Sequence, residues 1–361
     1  VDETNVTTAT MSLQDARYRR AAAVNDLFTR SLSRIAQLPG VEQTAVALSL
    51  PYERALNTNW RFDGDDAQQT VVAFTYITPG YFHALGIPVL RGRGFDDHDN
   101  GTSTAVAVVN DTFVREHSVD RDVIGRALRV GPSTAPPVTI VGVAGAIQQR
   151  VTFGGIGPIE ARSAVYLPAT QFSDDLFVLA HTFFQPSWIV RTRGPIAIIP
   201  SLNQVLRDID RQLTFNKFRT IEDLRADATV TPRLLAWLLG ALATIAMTLC
   251  VVGVYGLVAS SVAERRRELG VRMALGATPL DTLKTATAAA VGLAACGALA
   301  GLLLSLGAND MLRRIVYGIA VNDPLTMAGA AGLVMLAAVA AAVVPALRTL
   351  RMNLTAVLNN R

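Results

Sequence analysis

The sequence predicts a membrane protein in which an exterior α+β domain is followed by three transmembrane α-helices. Two observations carry this. First, residues 234–263, 285–309 and 324–347 contain no Asp, Glu, Lys, Arg or His over 30, 25 and 24 residues. About 20 apolar residues cross a bilayer. A charge at mid-membrane costs about 2.5–3.5 kcal/mol, so a lipid-exposed helix must exclude it. Second, residues 1–233 are charged, punctuated by Gly and Pro, and nearly balanced, with 23 Lys/Arg against 24 Asp/Glu. Over all 361 residues only 17% are charged and 50% are apolar, whereas a soluble domain carries about 25% charge. Two cysteines, Cys250 and Cys296, exclude a disulfide scaffold and a Cys-rich zinc module.

Within the exterior domain (1–233) the elements follow in order. Residues 7–13 read as a strand. Residues 21–38 read as a helix, because Ala21, Val24, Leu27, Phe28, Leu32, Ile35 and Leu38 recur at helical spacing and Pro39-Gly40 stops it. Residues 41–50 are a strand. Strands are also expected at 71–77, 105–109, 138–143 and 164–167, separated by turns such as Gly92-Arg93-Gly94. Residues 188–192 form a strand and 215–221 another. Between them lies a helix at 196–213, with Leu202, Val205, Leu206 and Ile209 on one face. The two βαβ ends, 1–54 and 186–221, are expected to form one split α/β layer, with 55–185 inserted as a second lobe. Residues 234–361 form the membrane part, with helices at about 234–262, 285–309 and 324–347.

Charge sets the orientation. Residues 264–284 carry Arg265, Arg266, Arg267, Arg272 and Lys284, and the tail 348–361 carries three Arg and no acid. Residues 310–323 carry only Arg313 and Arg314, offset by Asp310 and Asp323. The positive-inside rule puts the first two on the cytoplasmic side and 1–233 outside. Such a domain, with no export signal of its own, needs a membrane helix before Val1.

Chemistry-bearing motifs are sparse. Asp96-Asp97-His98-Asp99 is a polar turn rather than a metal site, because consecutive side chains cannot all reach one ion and no second ligand motif follows. His83, His117 and His181 stand without a visible nucleophile partner. No phosphate-binding glycine loop occurs. No catalytic, metal or cofactor site is therefore expected, and no nucleic-acid partner.

The most informative run is Glu264-Arg265-Arg266-Arg267-Glu268-Leu269-Gly270-Val271-Arg272-Met273-Ala274-Leu275-Gly276-Ala277, where the first apolar stretch ends. Topological anchoring requires only its arginines. It does not require the Gly270, Gly276 and Ala277 pattern or the apolar Met273 and Leu275. The run resembles the ERxREIGxRxALGA segment of MacB/FtsX-type ABC permeases. Thr78-Pro79-Gly80-Tyr81-Phe82-His83-Ala84-Leu85-Gly86-Ile87-Pro88 is similar to the SPGYFxxLGIPLLxGR element of their periplasmic core domain. Asn322-Asp323-Pro324-Leu325-Thr326 is similar to the DPLTF entry to their last helix. The tail Asn353-Leu354-Thr355-Ala356-Val357-Leu358-Asn359 departs from the family's DPxxALR.

The resemblance covers nearly the whole chain and is nearest to tandem-duplicated orphan permeases, of which this would be one half lacking its first membrane helix. It implies a bacterial inner-membrane permease that does not hydrolyse ATP. A cytoplasmic ABC ATPase would drive it through the coupling segment Glu264, Arg265, Arg266, Arg267, Glu268, Gly270, Arg272, Met273, Leu275, Gly276 and Ala277. It further implies a second permease half, a periplasmic adaptor and membrane lipid as partners. The implied output is efflux or the export of lipid, lipoprotein or peptide. The alternative within the same family is a regulator that switches a cell-wall hydrolase or senses an envelope signal.

Overall fold

The computed structural model describes residues 1–64, 70–117, 122–131, 135–151, 159–195, 198–264, 292, 295–297, 299–304 and 324–350. The chain divides into two units, Val1–Pro232 and Arg233–Arg361.

The first unit begins with β1 (Val6–Thr10), α1 (Ala21–Ala36) and β2 (Val41–Ala47). There follow β3 (Leu56–Phe62), β4 (Thr70–Ile77), α2 (Tyr81–Ala84), β5 (Val89–Gly92), β6 (Val106–Asn110) and α3 (Asp111–His117). Next come β7 (Ala127–Val130), β8 (Pro137–Ala144), β9 (Gln148–Arg150), β10 (Ile159–Ala161), β11 (Ala164–Pro168) and α4 (Asp174–Phe183). The unit ends with β12 (Ser187–Thr192), α5 (Ile199–Ile209) and β13 (Lys217–Thr220).

Strands from the two ends of this unit share one antiparallel layer in the order β2-β12-β1-β13. The helix α1 buries Val24, Leu27, Phe28, Ser31 and Ile35, a stripe set by the 3.6-residue repeat. Strand β12 is covered on both faces, and its alternation sorts the residues. Trp188 and Val190 enter the cluster with α1 and α5, whereas Ile189 enters the one with Tyr81, Phe82 and Leu85. Trp188 donates its Nε1 hydrogen to Ser31 Oγ at 2.8 Å. Its ring meets Phe28 and Phe215 edge-on, each at 5.5 Å, a geometry the ring quadrupoles favour.

The intervening lobe is a closed ring of six strands, β4-β3-β7-β8-β6-β11 and back to β4. Pairings β6–β8 and β4–β11 are parallel and the other four antiparallel. Closure removes the free edges that an open sheet would present. Strand β5 extends the same edge of β8 that β7 occupies, pairing with Gly142–Ala144 while β7 pairs with Pro137–Thr139. Chain crossing at this point needs glycine twice. Gly92 has φ +68°, and a side chain there would run into the Val141 carbonyl; one at Gly142 would strike the Arg93 carbonyl. Layer and lobe join where Ala47 pairs with Ile77. Hydrogen bonds from Leu48 N to Tyr76 O (3.1 Å) and Thr78 N to Val46 O (2.9 Å) flank the joint.

The helix α6 runs Ile221–Glu264. Thr220 and Asp223 cap it reciprocally, each side chain accepting from the other's backbone N–H at 3.0 Å. Its first turns bury Ile221, Leu224 and Ala228 in the first unit. In the second unit it contains the apolar span Ala236–Leu257, with mean hydropathy 2.2. Those 22 residues rise about 33 Å at ~1.5 Å each, enough for a bilayer core of about 30 Å. Among the described residues this is the one helix long and apolar enough to cross a membrane. The stretch Ala295–Leu304 and residues Ala328–Ala341 of α7 (Pro324–Leu350) are shorter apolar helices.

Candidate functional site

The residues with the strongest sequence signal are only partly placed. Glu264 is exposed at the last position of α6. Arg265, Arg266, Arg267, Glu268, Gly270, Arg272, Met273, Leu275, Gly276 and Ala277 lie outside the described residues.

The span that leads to them has a surface made for lipid. Within its unit Trp237 is 80% exposed, and Leu242, Leu249 and Val252 are also exposed. Trp237 and Tyr255 mark its two ends. They are 18 positions apart in sequence, or about 27 Å of helix, which suits the aromatic belts at the two membrane interfaces. Its threonine hydroxyls are satisfied internally: Thr244 donates to Gly240 O and Thr248 to Thr244 O, both at 2.8 Å. A hydroxyl so bonded needs no water. No Asp, Glu, Lys, Arg or His interrupts Ala236–Leu257. Proton relays and ion pathways normally depend on such groups inside the membrane.

On the exterior unit, Thr78–Asp96 folds around a hollow of about 350 Å³ that includes Phe82, His83 and Arg93. Thr78 Oγ1 accepts from Val46 N at 2.8 Å, fixing the hollow to β2. Gly80 takes φ +91°, the left-handed conformation that starts α2. The acidic run resolves into a turn around one buried carboxylate. Asp99 accepts two hydrogen bonds from Arg93, at 2.6 and 2.8 Å, and one from Asp96 N at 3.0 Å. The Arg93 guanidinium holds the Asp99 carboxyl below the usual carboxylate range. Among the described residues no group of His, Cys, Asp and Glu could hold a metal ion.

Two histidines belong to aromatic packing. His117 packs on Trp60 and Phe113, and burial lowers its pKa. His181 is buried with Nε2 2.8 Å from Tyr76 OH, and burial lowers its pKa to about 4. In an unfolded chain a histidine takes up its proton near pH 6.5, so below that pH protons favour unfolding. Stability of the exterior unit should fall from pH 6.5 to about 4, by about 3 kcal/mol at most from this residue. Urea midpoints of the full-length protein across this range test it: His181→Gln should flatten the slope, and an unchanged slope would assign the acid sensitivity elsewhere.

Sequence reasoning did not nominate a cluster of cations around the half-buried Glu53. Arg54, Arg150, Lys217 and Arg219 line one groove with it. They come from segments far apart in sequence, so no local motif announces them.

A family model for the MacB-like periplasmic core domain matches residues 3–204, and one for the FtsX-like permease C-terminal domain matches residues 240–354. The chain belongs to the MacB/FtsX-type ABC permease family. It is a membrane protein with a periplasmic core domain, and neither match in this MacB/FtsX-type permease is an ATPase domain. Similar proteins include the "Macrolide export ATP-binding/permease protein MacB" of Vibrio parahaemolyticus, 26% identical over 80% of this chain and 41% of that protein. The protein of the same name from Bradyrhizobium diazoefficiens is 30% identical over 70% and 37%. The "Pyoverdine export ATP-binding/permease protein PvdT" of Pseudomonas syringae is 27% identical over 76% and 40%. The permease chain thus spans about two fifths of the length of these relatives.

Proposed function

We propose that this chain is the permease component of an export system in the bacterial inner membrane, driven by an ABC ATPase on a separate protein. One observation carries the reading. The chain joins a MacB-like periplasmic core to an FtsX-like permease domain, and its relatives are named ATP-binding/permease proteins. The absence of Asp, Glu, Lys, Arg and His from Ala236–Leu257 favours transmission of motion over an ion-coupled pathway. In this reading residues 1–233 are periplasmic and 234–361 form the permease part, working with a second permease half. The segment from Glu264 to Ala277 passes ATPase motion to the membrane helices, and a periplasmic adaptor would continue the path outward. Efflux or the export of lipid, lipoprotein or peptide is the output.

Orientation gives a direct test. In full-length protein carrying Cys250→Ser and Cys296→Ser, a membrane-impermeant maleimide should label Gln37→Cys from outside. It should label Thr278→Cys only after permeabilisation. The reverse pattern would remove the reading.

A further inference from the structure

The groove around Glu53 has a volume of about 510 Å³, within the range of small-molecule sites. Four cations, Arg54, Arg150, Lys217 and Arg219, line it with only two acids, Glu53 and Asp227. Arg219 pairs with Asp227 at 3.6 Å. Neither Arg150 nor Lys217 has an ion-pair partner within 4.0 Å among the described residues. Burial raises the Glu53 pKa, against the pull of the Leu50 backbone N–H and of Arg219, Lys217 and Arg150. The groove is therefore a concave basic surface with unspent cationic groups.

Its lip is apolar. Phe183, at the end of α4, lines the groove and is 68% exposed, and Leu179, one turn earlier, is 48% exposed. Phe184 also lines it, with the Arg54 guanidinium carbon 5.8 Å from its ring centroid. A basic hollow bordered by exposed apolar side chains matches a ligand that is anionic at one end and apolar at the other. We propose that this groove binds the phosphate or carboxylate head of an amphiphilic small molecule, whose apolar part lies on Phe183 and Leu179. Guanidinium and ammonium donors supply charge-assisted hydrogen bonds to such a head. The lining unites β13 and the first turns of α6 with Arg150 at the end of β9, so an occupant would bridge the layer and the inserted lobe. The inference goes beyond the export reading and does not depend on an ATPase.

Calorimetry on full-length protein in phosphatidylcholine nanodiscs, without any ATPase, tests this with hexyl phosphate and inorganic phosphate as probes. Hexyl phosphate should bind at least about tenfold tighter than inorganic phosphate. Arg150→Gln with Lys217→Gln should weaken it about tenfold or more. Phe183→Ala should weaken hexyl phosphate about three- to tenfold and leave inorganic phosphate unchanged. Arg207→Gln, on the exposed side of α5, should change neither. If the double variant does not fold, Lys217→Gln alone should still weaken binding about threefold, since Lys217 is exposed. Absence of binding, or binding unaltered in the lysine variant, would overturn the proposal; equal affinity for the two probes would overturn its amphiphilic part. Repeating the titration with 20 mol % phosphatidylglycerol separates the sources. Competition assigns the head to a membrane lipid, and no competition assigns it to a soluble amphiphile; both outcomes uphold the groove.

Discussion

Replacing Trp188 by alanine is expected to destabilise the periplasmic domain by about 3–5 kcal/mol, the usual cost of truncating a large core aromatic. Trp188 is fully buried on β12, between β1 and β2. The substitution empties the space against Phe28 and Phe215 and leaves the buried Ser31 hydroxyl without the indole it accepts from. Ser31 still donates to Phe28 O at 3.0 Å, so most of the loss is the cavity and the buried apolar area. A marginally stable domain has about 5–15 kcal/mol in total, so this one change should expose the layer to protease at moderate temperature. Trp188→Phe should recover about half of the loss. Limited proteolysis and urea unfolding of the full-length protein measure it; wild-type resistance in the alanine variant would mean that the layer is not held by this contact.

What the sequence makes legible depends on how each element meets its surroundings. The helix α1 is legible because Val24, Leu27, Phe28 and Ile35 face one core, and all four are buried. The strands near residues 71, 106, 138 and 164 are legible as β-rich runs, and β6 and β11 are buried along their whole length. By contrast, β3, β5 and β7 carry weak signals: β3 contains Asn57, Asn59 and Arg61, and β5 and β7 have four residues each. Pairing, not local preference, makes them strands. The helix α4 had a readable start. Ser173 caps it by accepting from Leu176 N, with Asp174 and Asp175 in the first turn. At the joint, Gly92 and Gly142 read only as turn residues, since the crossing that demands them is tertiary. In the membrane part the absence of charge announces the α6 span, while the motif at 264–277 is legible only through its family resemblance. The basic groove is illegible because its cations meet only on folding.

Met273→Asp or Leu275→Asp is expected to uncouple the system, leaving the protein inserted and folded but unresponsive to its ATPase. In the proposed reading, force from the ATPase crosses a cytoplasmic contact, and 264–284 is the sizeable cytoplasmic segment between membrane helices in that orientation. An apolar anchor in such a contact is commonly worth about 2 kcal/mol or more, roughly a thirtyfold loss of affinity, and a buried carboxylate costs further. Single Arg→Ala changes at Arg265, Arg266 or Arg267 should cost about 0.2–1 kcal/mol each, the range of exposed ion pairs. The central claim, that this segment couples the permease to an ATPase, is tested most directly by ATP hydrolysis in liposomes holding the cognate ATPase with full-length wild-type, Leu275→Asp or Arg266→Ala permease at equal membrane levels. Wild type should stimulate hydrolysis, Arg266→Ala should retain most of that stimulation, and Leu275→Asp should return it to the level of the ATPase alone. Full stimulation by a correctly inserted Leu275→Asp permease would contradict the claim and reduce the segment to a topological anchor.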